Sequence, residues 1–504
     1  MIRSRFALGA LAGGVAAVLV LAATRPYAPG LALDGVAYVS AAESLVRTRM
    51  LRMPFSRWPD ADSTSALSRW PPGTSLLIAA PHALGVSAMD SARLMLVACA
   101  FATLLGVVLV TAEAAGATAA LLAATLAIVT PDLGHIHRSV WSEAPFVACV
   151  VALLAALVLA PDRALRHGLI AAAAGLLRYV GVALSIAVTL WAVRRQTTWR
   201  SRLRAATLAS FPGIVVQAWW AWRNAQEDAT ARTLQFVPLD RFALVGIGRT
   251  VRAWLVPAGP HTGMAIVIAA TLGLAGLALL AHALRRVRAA GAPVSPSSTV
   301  SESRLYAAAN ILAASYFAVL LAARIFADPW IAFEGRHLVP LMLLAEICIA
   351  AALAGWWHTA HRGARAAAVA TFGVWTAVAF TTSVAGARPA MHEGLYMSHS
   401  YWRNAGVLEW VRREGSRVPL YSNYPSAIYA HTRRSSREIP LIGEVRHVRQ
   451  FGATLVRSGG VFVAFHPPSP WLLPNDEVGR FLAFREVARF ADGVIWAPSP
   501  TTPR

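Results

Sequence analysis

The chain is 504 residues long, 57 % hydrophobic and only 14 % charged, where ordinary soluble domains carry roughly 25 % charged residues; a wholly soluble protein is excluded. The formal charge of +21 is the balance of 46 basic residues, all of them arginine, over 25 acidic ones. They gather in short stretches between apolar runs, the pattern of membrane loops, so no nucleic-acid partner is expected.

The first apolar run, 6–23, follows Arg3 and Arg5, and "LVLAATRPYAPG" offers no small-x-small cleavage site. An uncleaved membrane anchor is expected. Just beyond it, "LDGVAYVSAAESL" opens with Asp34 and repeats Val36, Tyr38, Val39, Ala42, Leu45 and Val46 at helical spacing, closed by Arg47, Arg49 and Arg52. This predicts an amphipathic helix at the membrane interface. Asp34 at its head either caps the helix or does chemistry where lipid meets water.

Further runs at 94–110, 205–222, 264–284, 305–323, 338–357 and 366–384 are long or nearly long enough to cross a hydrocarbon layer that takes about 20 residues. Arginine clusters mark the cytoplasmic side: Arg3 and Arg5; Arg194, Arg195, Arg200, Arg202 and Arg204; Arg285, Arg286 and Arg288; Arg362 and Arg365. From Arg204 onward the runs alternate out, back, out, back and out. Everything after about Arg388 then lies outside.

Between Asp34 and Arg194 two topologies are open. "WPPGTSLLIAAPHALG" crosses as a short helix or lies in the outer interface, and "HGLIAAAAGLLRYVGVALSIAVTLWAV" is one helix or two half-spans broken near Arg178 and Gly181. The second choice in each case puts His135, His137, Arg138 and Glu143 on the outer face with Asp34; the first puts them inside. Arg178 lies inside an apolar stretch, where an arginine costs roughly 2.5 kcal/mol or more without a partner or a wet cavity. It is therefore a phosphate ligand, a structural ion pair or a snorkelling residue. Cys99, Cys149 and Cys348 fall in apolar runs and read as buried thiols. His135 and His137 stand two apart with no third ligand, which argues against zinc.

The stretch "GAPVSPSSTVSES", 291–303, reads as part of a flexible cytoplasmic linker over 289–303. "FEGRHLVP" places Glu334, Arg336 and His337 at the head of a membrane helix. Trp58, Trp70, Trp219, Trp220, Trp222 and Trp330 fit an aromatic belt, and Trp58 and Trp70 also suit stacking on a sugar ring. In the tail, "NAGVLEWVRREGS" predicts a helix, "RVPLYSN" and "GGVFVAFHPP" predict strands, and Asp492-Gly493 predicts a hairpin turn. A small α/β or α+β lobe follows.

Taken in order, "LDGVAYVSAAESL", "RWPPGTSLLIAAPHALG", "WSEAPFVACVVALLAAL", "GLLRYVGVALSIAV", "GRHLVPLMLL" and "YSNYPSAIYAHTRR" resemble the GT-C glycosyltransferases. That group includes protein O-mannosyltransferases, the bacterial aminoarabinose transferase and lipopolysaccharide-core sugar transferases. The resemblance implies an α-helical polytopic membrane protein of about 10–13 transmembrane helices with a small C-terminal α/β extracytoplasmic domain. Its parts are a membrane module, 1–390, with a first outer loop at about 25–72, and an outer domain, 391–504.

The resemblance further implies transfer of a sugar from a polyprenyl-phosphate donor to a glycan, lipid or protein acceptor on the outer face of a bacterial-type plasma membrane; the reaction inverts if Asp34 acts as base and not as nucleophile. Asp34 matches the family's first-loop general base. Glu143 matches an acidic position of the family. Arg178, Arg336, His337, Arg138, Tyr38 and Trp70 complete the candidate substrate-binding set. Relatives often have lysine near Arg178. Many carry a second acid after the first-loop Asp, whereas this chain has Gly35, so no tightly bound metal and no cofactor are expected; an outer-face divalent cation stays open.

The chemistry needs a base for the acceptor's proton and positive charge for the departing phosphate, and arginine's planar fork suits the latter. The alternative is a non-catalytic lipid-linked sugar transporter or an inactive scaffold, against which stand the absence of repeated halves and the sizeable loop after the first helix. No cytoplasmic segment is large enough for a nucleotide-sugar site.

Overall fold

A computed structural model of the chain describes residues 2–57, 62–227, 236–257, 296–328, 331–415, 418–440, 446–467, 472 and 484–499. In chain order these form α1 (Ile2–Thr24), α2 (Leu33–Thr48), β1 (Arg52–Met53), β2 (Phe55–Arg57), β3 (Ser65–Ala66), α3 (Gly73–Ala83), α4 (Ala88–Val129), α5 (Pro131–Arg138), α6 (Glu143–Leu159), α7 (Ala164–Leu177), a 3-10 turn (Tyr179–Gly181), α8 (Val182–Arg194), α9 (Trp199–Gln226) and α10 (Arg241–Leu255). Then come α11 (Pro296–Phe326), α12 (Gly335–Trp357), α13 (Arg362–His392), α14 (Ser400–Arg403), α15 (Gly406–Arg413), β4 (Leu420–Ser422), α16 (Pro425–Thr432), β5 (Ser436–Glu438), α17 (Arg446–Ser458), β6 (Val461–Phe465), β7 (Phe484–Phe490) and β8 (Gly493–Pro498). The chain divides into two compact units, one of Met1–Arg25 with Arg93–Met391, the other of Pro26–Ala92 with His392–Arg504.

The first unit is helical. Among the described residues five helices, α1, α4, α11, α12 and α13, are long and apolar enough to cross a membrane, and α6, α7 and α8 are shorter apolar helices. The chain is a multi-pass membrane protein. Small residues let its helices touch: a Cβ on Gly13 of α1 would come 2.8 Å from Phe101 O of α4, and one on Gly168 of α7 would come 2.5 Å from Ala209 O of α9. With lipid as solvent, such close approach replaces the hydrophobic drive. The run 94–110 lies in α4, which is bent at Gly116, where φ is 86°.

The second choice left open for 164–194 is the one found. α6, seventeen residues long, spans about 25 Å. α7 returns beside it, pinned where His167 Nε2 donates to Ala156 O and Ala160 O at 3.2 and 3.1 Å. At Arg178 the backbone is extended, and the chain reverses so tightly that a Cβ on Gly181 would lie 2.5 Å from Ala174 O. α3, with eleven residues, reaches about 16 Å, too short to span. The run 205–222 lies within α9. Residues 264–284 and the cluster at 285–288 lie outside the described residues, as do Trp58 and Trp330. Of the linker expected over 289–303, residues 296–303 belong instead to α11, and 289–295 lie outside the described residues.

The second unit joins Pro26–Ala92 to the tail, which begins at His392. Its six-stranded sheet has the order β2-β5-β4-β6-β8-β7, and β2 comes from the first loop, pairing in parallel with β5. β2, β5, β4 and β6 are parallel; β8 and β7 form the expected hairpin across Asp492-Gly493. Every residue of β6 is buried. Val461, Val463 and Phe465 pack with Val407, Leu408, Val411 and Ile428 of α15 and α16, while Phe462 and Ala464 pack with Phe451 and Leu455 of α17. A parallel strand buried on both faces reads as an unbroken apolar run for this reason.

α2 is not the amphipathic surface helix expected. Gly35 through Ala42 are all buried, because Gly35, Ala37, Ala41 and Ala42 are small enough for neighbours to approach from every side.

Candidate active site

In the first unit, α5, α6, the α7–α8 break and the head of α12 bring polar side chains together within the apolar bundle. Arg178 NH1 is 2.5 Å from Glu143 Oε1, with side chains 14 % and 5 % exposed, and it also donates to Ser142 Oγ at 3.2 Å. The Arg178 guanidinium lies 6.0 Å from the centre of the Phe146 ring. Phe146 stacks on Tyr316 at 5.8 Å, and the Tyr316 hydroxyl donates to His337 O at 2.6 Å. Glu143 is within Coulombic reach of Arg178, Arg336 and His337.

The extended backbone of Arg178 is what aims its side chain at the head of α6. A residue continuing α7 would point along the helix surface instead. Arg336, in the first turn of α12, stacks 5.0 Å above Trp141, which His135 meets edge-on at 5.1 Å. Arg138 is buried, close beside Gly134. The structure therefore joins Glu143, Arg178, Arg336 and His337 in one cluster, with Arg138 on the adjoining helix. The ion-pair reading of Arg178 is the one its geometry displays, with Glu143 as partner.

Two carboxylates outside the sequence-predicted set belong to the same region. Asp132, second residue of α5, accepts from Trp254 Nε1 at 2.9 Å and presses so closely on the head of α12 that a Cβ on Gly335 would run into its carboxylate. Glu346, buried in α12, accepts from Thr130 Oγ1 at 2.5 Å. An acid in the middle of "LMLLAEICIAA" is a signal in itself, since such groups are costly in a membrane and held by partners. The neighbouring parts of α5, α6, the α7–α8 break and α12 thus hold Arg138, Arg178 and Arg336 together with the carboxylates of Asp132, Glu143, Glu334 and Glu346.

Asp34, Tyr38 and Trp70 belong to the second unit. Asp34 is not the cap of α2: Ala32 occupies that position, and Asp34 is the second helical residue, its Oδ1 accepting from the Gly35 N–H at 3.0 Å. An acid in the first turn is favoured by the helix dipole. Tyr38, one turn on, is buried and meets Trp70 edge-on at 6.2 Å, while Arg69 stacks on Trp70 at 5.3 Å. Of the remaining belt residues described, Trp219 and Trp222 are exposed, and Trp220 is buried with its indole donating to Tyr179 OH at 3.0 Å.

The tail contributes groups of its own. The Tyr429 hydroxyl donates to Glu43 Oε2 at 2.7 Å; burial, and then that carboxylate, push the phenol up to about 12. His431 Nε2 donates to Met397 O at 2.7 Å, and burial lowers its ring below the ordinary histidine range, helped by Arg412, Arg403 and Arg433. Among the described residues, no group of three or more His, Cys, Asp or Glu side chains converges as a metal site.

No family model and no curated protein matches the sequence. Solved structures do match the fold. The chain is similar to ArnT from Cupriavidus metallidurans bound to undecaprenyl phosphate, at 14 % identity over 98 % of this chain and 99 % of that one, TM-score 0.58. It is similar to the oligosaccharyltransferase AglB of Archaeoglobus fulgidus in complex with an inhibitory peptide and a dolichol-phosphate, at 11 % identity over 98 % and 75 %, TM-score 0.53. The mycobacterial arabinofuranosyltransferase AftD shares 17 % identity over 98 % of this chain and 40 % of its own, TM-score 0.56. All three are GT-C glycosyltransferases, and theirs is the fold of this chain.

Proposed function

We propose that the protein is a membrane glycosyltransferase that moves a sugar from a polyprenyl-phosphate donor to an acceptor on the outer face of the membrane, with Asp34 as general base. The observation that carries this reading is the buried cluster around Arg178 and Arg336, whose guanidinium forks suit phosphate oxygens. The fold it shares with a protein solved with undecaprenyl phosphate and another solved with a dolichol-phosphate supports the same donor class.

In this reading the acceptor's hydroxyl oxygen attacks the anomeric carbon and its proton passes to the Asp34 carboxylate. The bond from that carbon to the phosphate oxygen breaks, and its electron pair leaves with the phosphate. Arg178 and Arg336 hold the charge that develops there; their forks bind phosphate oxygens and stay protonated. Glu143 holds the Arg178 guanidinium in place in the resting protein. A single displacement of this kind inverts the anomeric centre. The N-terminus is cytoplasmic and the tail extracytoplasmic in the plasma membrane, which puts Asp34 on the side where the acceptor waits.

The test compares, by mass, the envelope glycans and lipids of cells with the protein, without it, and with Asp34→Asn. A component heavier by one sugar is expected only with the wild-type protein, while the variant reaches the membrane in equal amount. Identical envelopes in all three, or full product from the variant, would overturn the reading.

A further inference from the structure

Within the second unit, the tail grips α2 before, along and after its length. Ahead of the helix, the Met397 N–H donates to Leu31 O at 2.8 Å and Ser398 Oγ to Pro29 O at 2.7 Å, and Leu31 bridges Tyr396 in parallel. Along the helix, Glu43 Oε2 accepts from Tyr429 at 2.7 Å and from Arg433 NH1 at 3.2 Å. The Arg433 guanidinium also covers the Tyr429 ring at 5.3 Å. After the helix, β2 is the edge strand of the tail's sheet.

Asp34 and Glu43 are nine positions apart, about two and a half turns, and so project from opposite faces of α2. The contacts at Glu43 help to fix the rotation of the packed helix about its own axis, and with it the direction in which Asp34 points. A carboxylate that accepts a phenol proton makes a shorter and stronger bond than a neutral pair, and the half-buried phenol has less competition from water than the exposed Arg433.

We infer that Tyr429, acting through Glu43 and aided by Arg433, is a positioning residue for Asp34, so that the C-terminal lobe aims the base; this rests on the proposed role of Asp34. The lobe then takes part in the reaction without touching the reacting atoms.

The test uses the full chain in lipid nanodiscs, as wild type, Tyr429→Phe, Glu43→Ala and Glu43→Gln, with hydrogen exchange read over 33–48 and over 461–465. Tyr429→Phe and Glu43→Ala are expected to speed exchange in 33–48 by about tenfold or more while 461–465 stays unchanged. Glu43→Gln, which keeps an acceptor for the phenol, is expected to stay close to wild type. Transfer is followed with the lipid-linked donor and acceptor extracted from producing cells. The acid limb of its pH profile is expected to move by about half a unit or more in Tyr429→Phe, with the donor KM unchanged. A variant that merely lowered the folded fraction would scale the profile without moving it. Unchanged exchange in 33–48, an equal rise in 461–465, or an unmoved acid limb beside a loosened α2 would each overturn the inference. Absence of any transfer by the wild type would sink the base role of Asp34 instead, and the exchange result would still decide whether the tail holds α2.

Discussion

Arg178 and Glu143 meet at 2.5 Å where α7 breaks into α8, far inside a bundle of apolar helices. Removing one member of such a pair strands the other, at about 3–5 kcal/mol. Glu143→Ala is therefore expected to lose that much stability, read as a lowered Tm in detergent. Glu143→Gln, still able to accept from Arg178, is expected to lose less. Glu143→Gln with Arg178→Met removes both charges; it is expected to recover most of the stability while losing retention of undecaprenyl phosphate in nanodiscs. Full phosphate retention by that double variant would remove Arg178 from the site.

Asp34→Asn keeps size and the hydrogen bond to the Gly35 N–H, so the fold of the second unit is expected to be untouched. General-base catalysis supplies typically 10²–10⁴-fold. Transfer is expected to fall by about that factor, with no change in Tm. Equal transfer rates for variant and wild type would show that another group takes the proton.

Gly335 is required by a neighbour. A Cβ there would run into the Asp132 carboxylate, and overpacking of this kind costs about 1–3 kcal/mol. Gly335→Ala is expected to lower stability by that amount. Combined with Asp132→Ala, which vacates the space, the loss is expected to be smaller than the sum of the two single losses by about 1 kcal/mol. Strict additivity would mean that the two residues do not touch.

What the sequence disclosed follows from how strongly a segment's physics is local. The D-G hairpin of β7 and β8 needs only a turn and two flanking strands. The run 461–465 announces burial on both faces by having no polar residue at all. Arg178 is conspicuous because an arginine within an apolar stretch has few inexpensive explanations. By contrast, β2 is three residues whose strand partner lies some 380 positions away, and nothing local marks it. The burial of α2 is silent for another reason: alanine and glycine carry no hydrophobic periodicity, so close packing on every side looks like weak amphipathicity. Asp132 escaped notice because a Pro-Asp pair at a helix start is ordinary, and its significance comes from Gly335, two hundred residues on.

The tail is expected to weaken in mild acid. Burial, together with Arg412 of α15, Arg403 of α14 and Arg433 at the end of His431's own helix, lowers His431 in the folded chain. The unfolded chain, with its histidine near 6.5, therefore binds the proton more readily. Stability from this group is fully present above the unfolded value and is lost as pH falls below it toward the depressed folded value. Protection of the amides in 425–432, taken relative to the intrinsic exchange rate at each pH, is expected to fall from pH 7.5 to pH 5.5, and His431→Gln is expected to flatten that response. An identical pH response in the variant would assign the effect to another group.

Asp492 serves two elements at once. It sits in the turn between β7 and β8, and its carboxylate oxygens accept from the N–H groups of Gly406 and Val407, each at 3.1 Å, at the start of α15. Ala405, at the helix's own cap position, has no side chain to offer, so the cap is supplied from some 85 residues away. Losing a cap costs about 0.5–2 kcal/mol. Asp492→Ala is expected to fall in the upper half of that range, because two donors lose their acceptor and the Asp-Gly turn is weakened together with them. Asp492→Asn keeps one acceptor oxygen and the turn preference, and is expected to lose less than half as much. The measurement is exchange at the amides of Gly406 and Val407: both are expected to lose protection in Asp492→Ala, and only one in Asp492→Asn. Equal protection in all three proteins would mean that α15 is capped from elsewhere and that Asp492 acts on the hairpin alone.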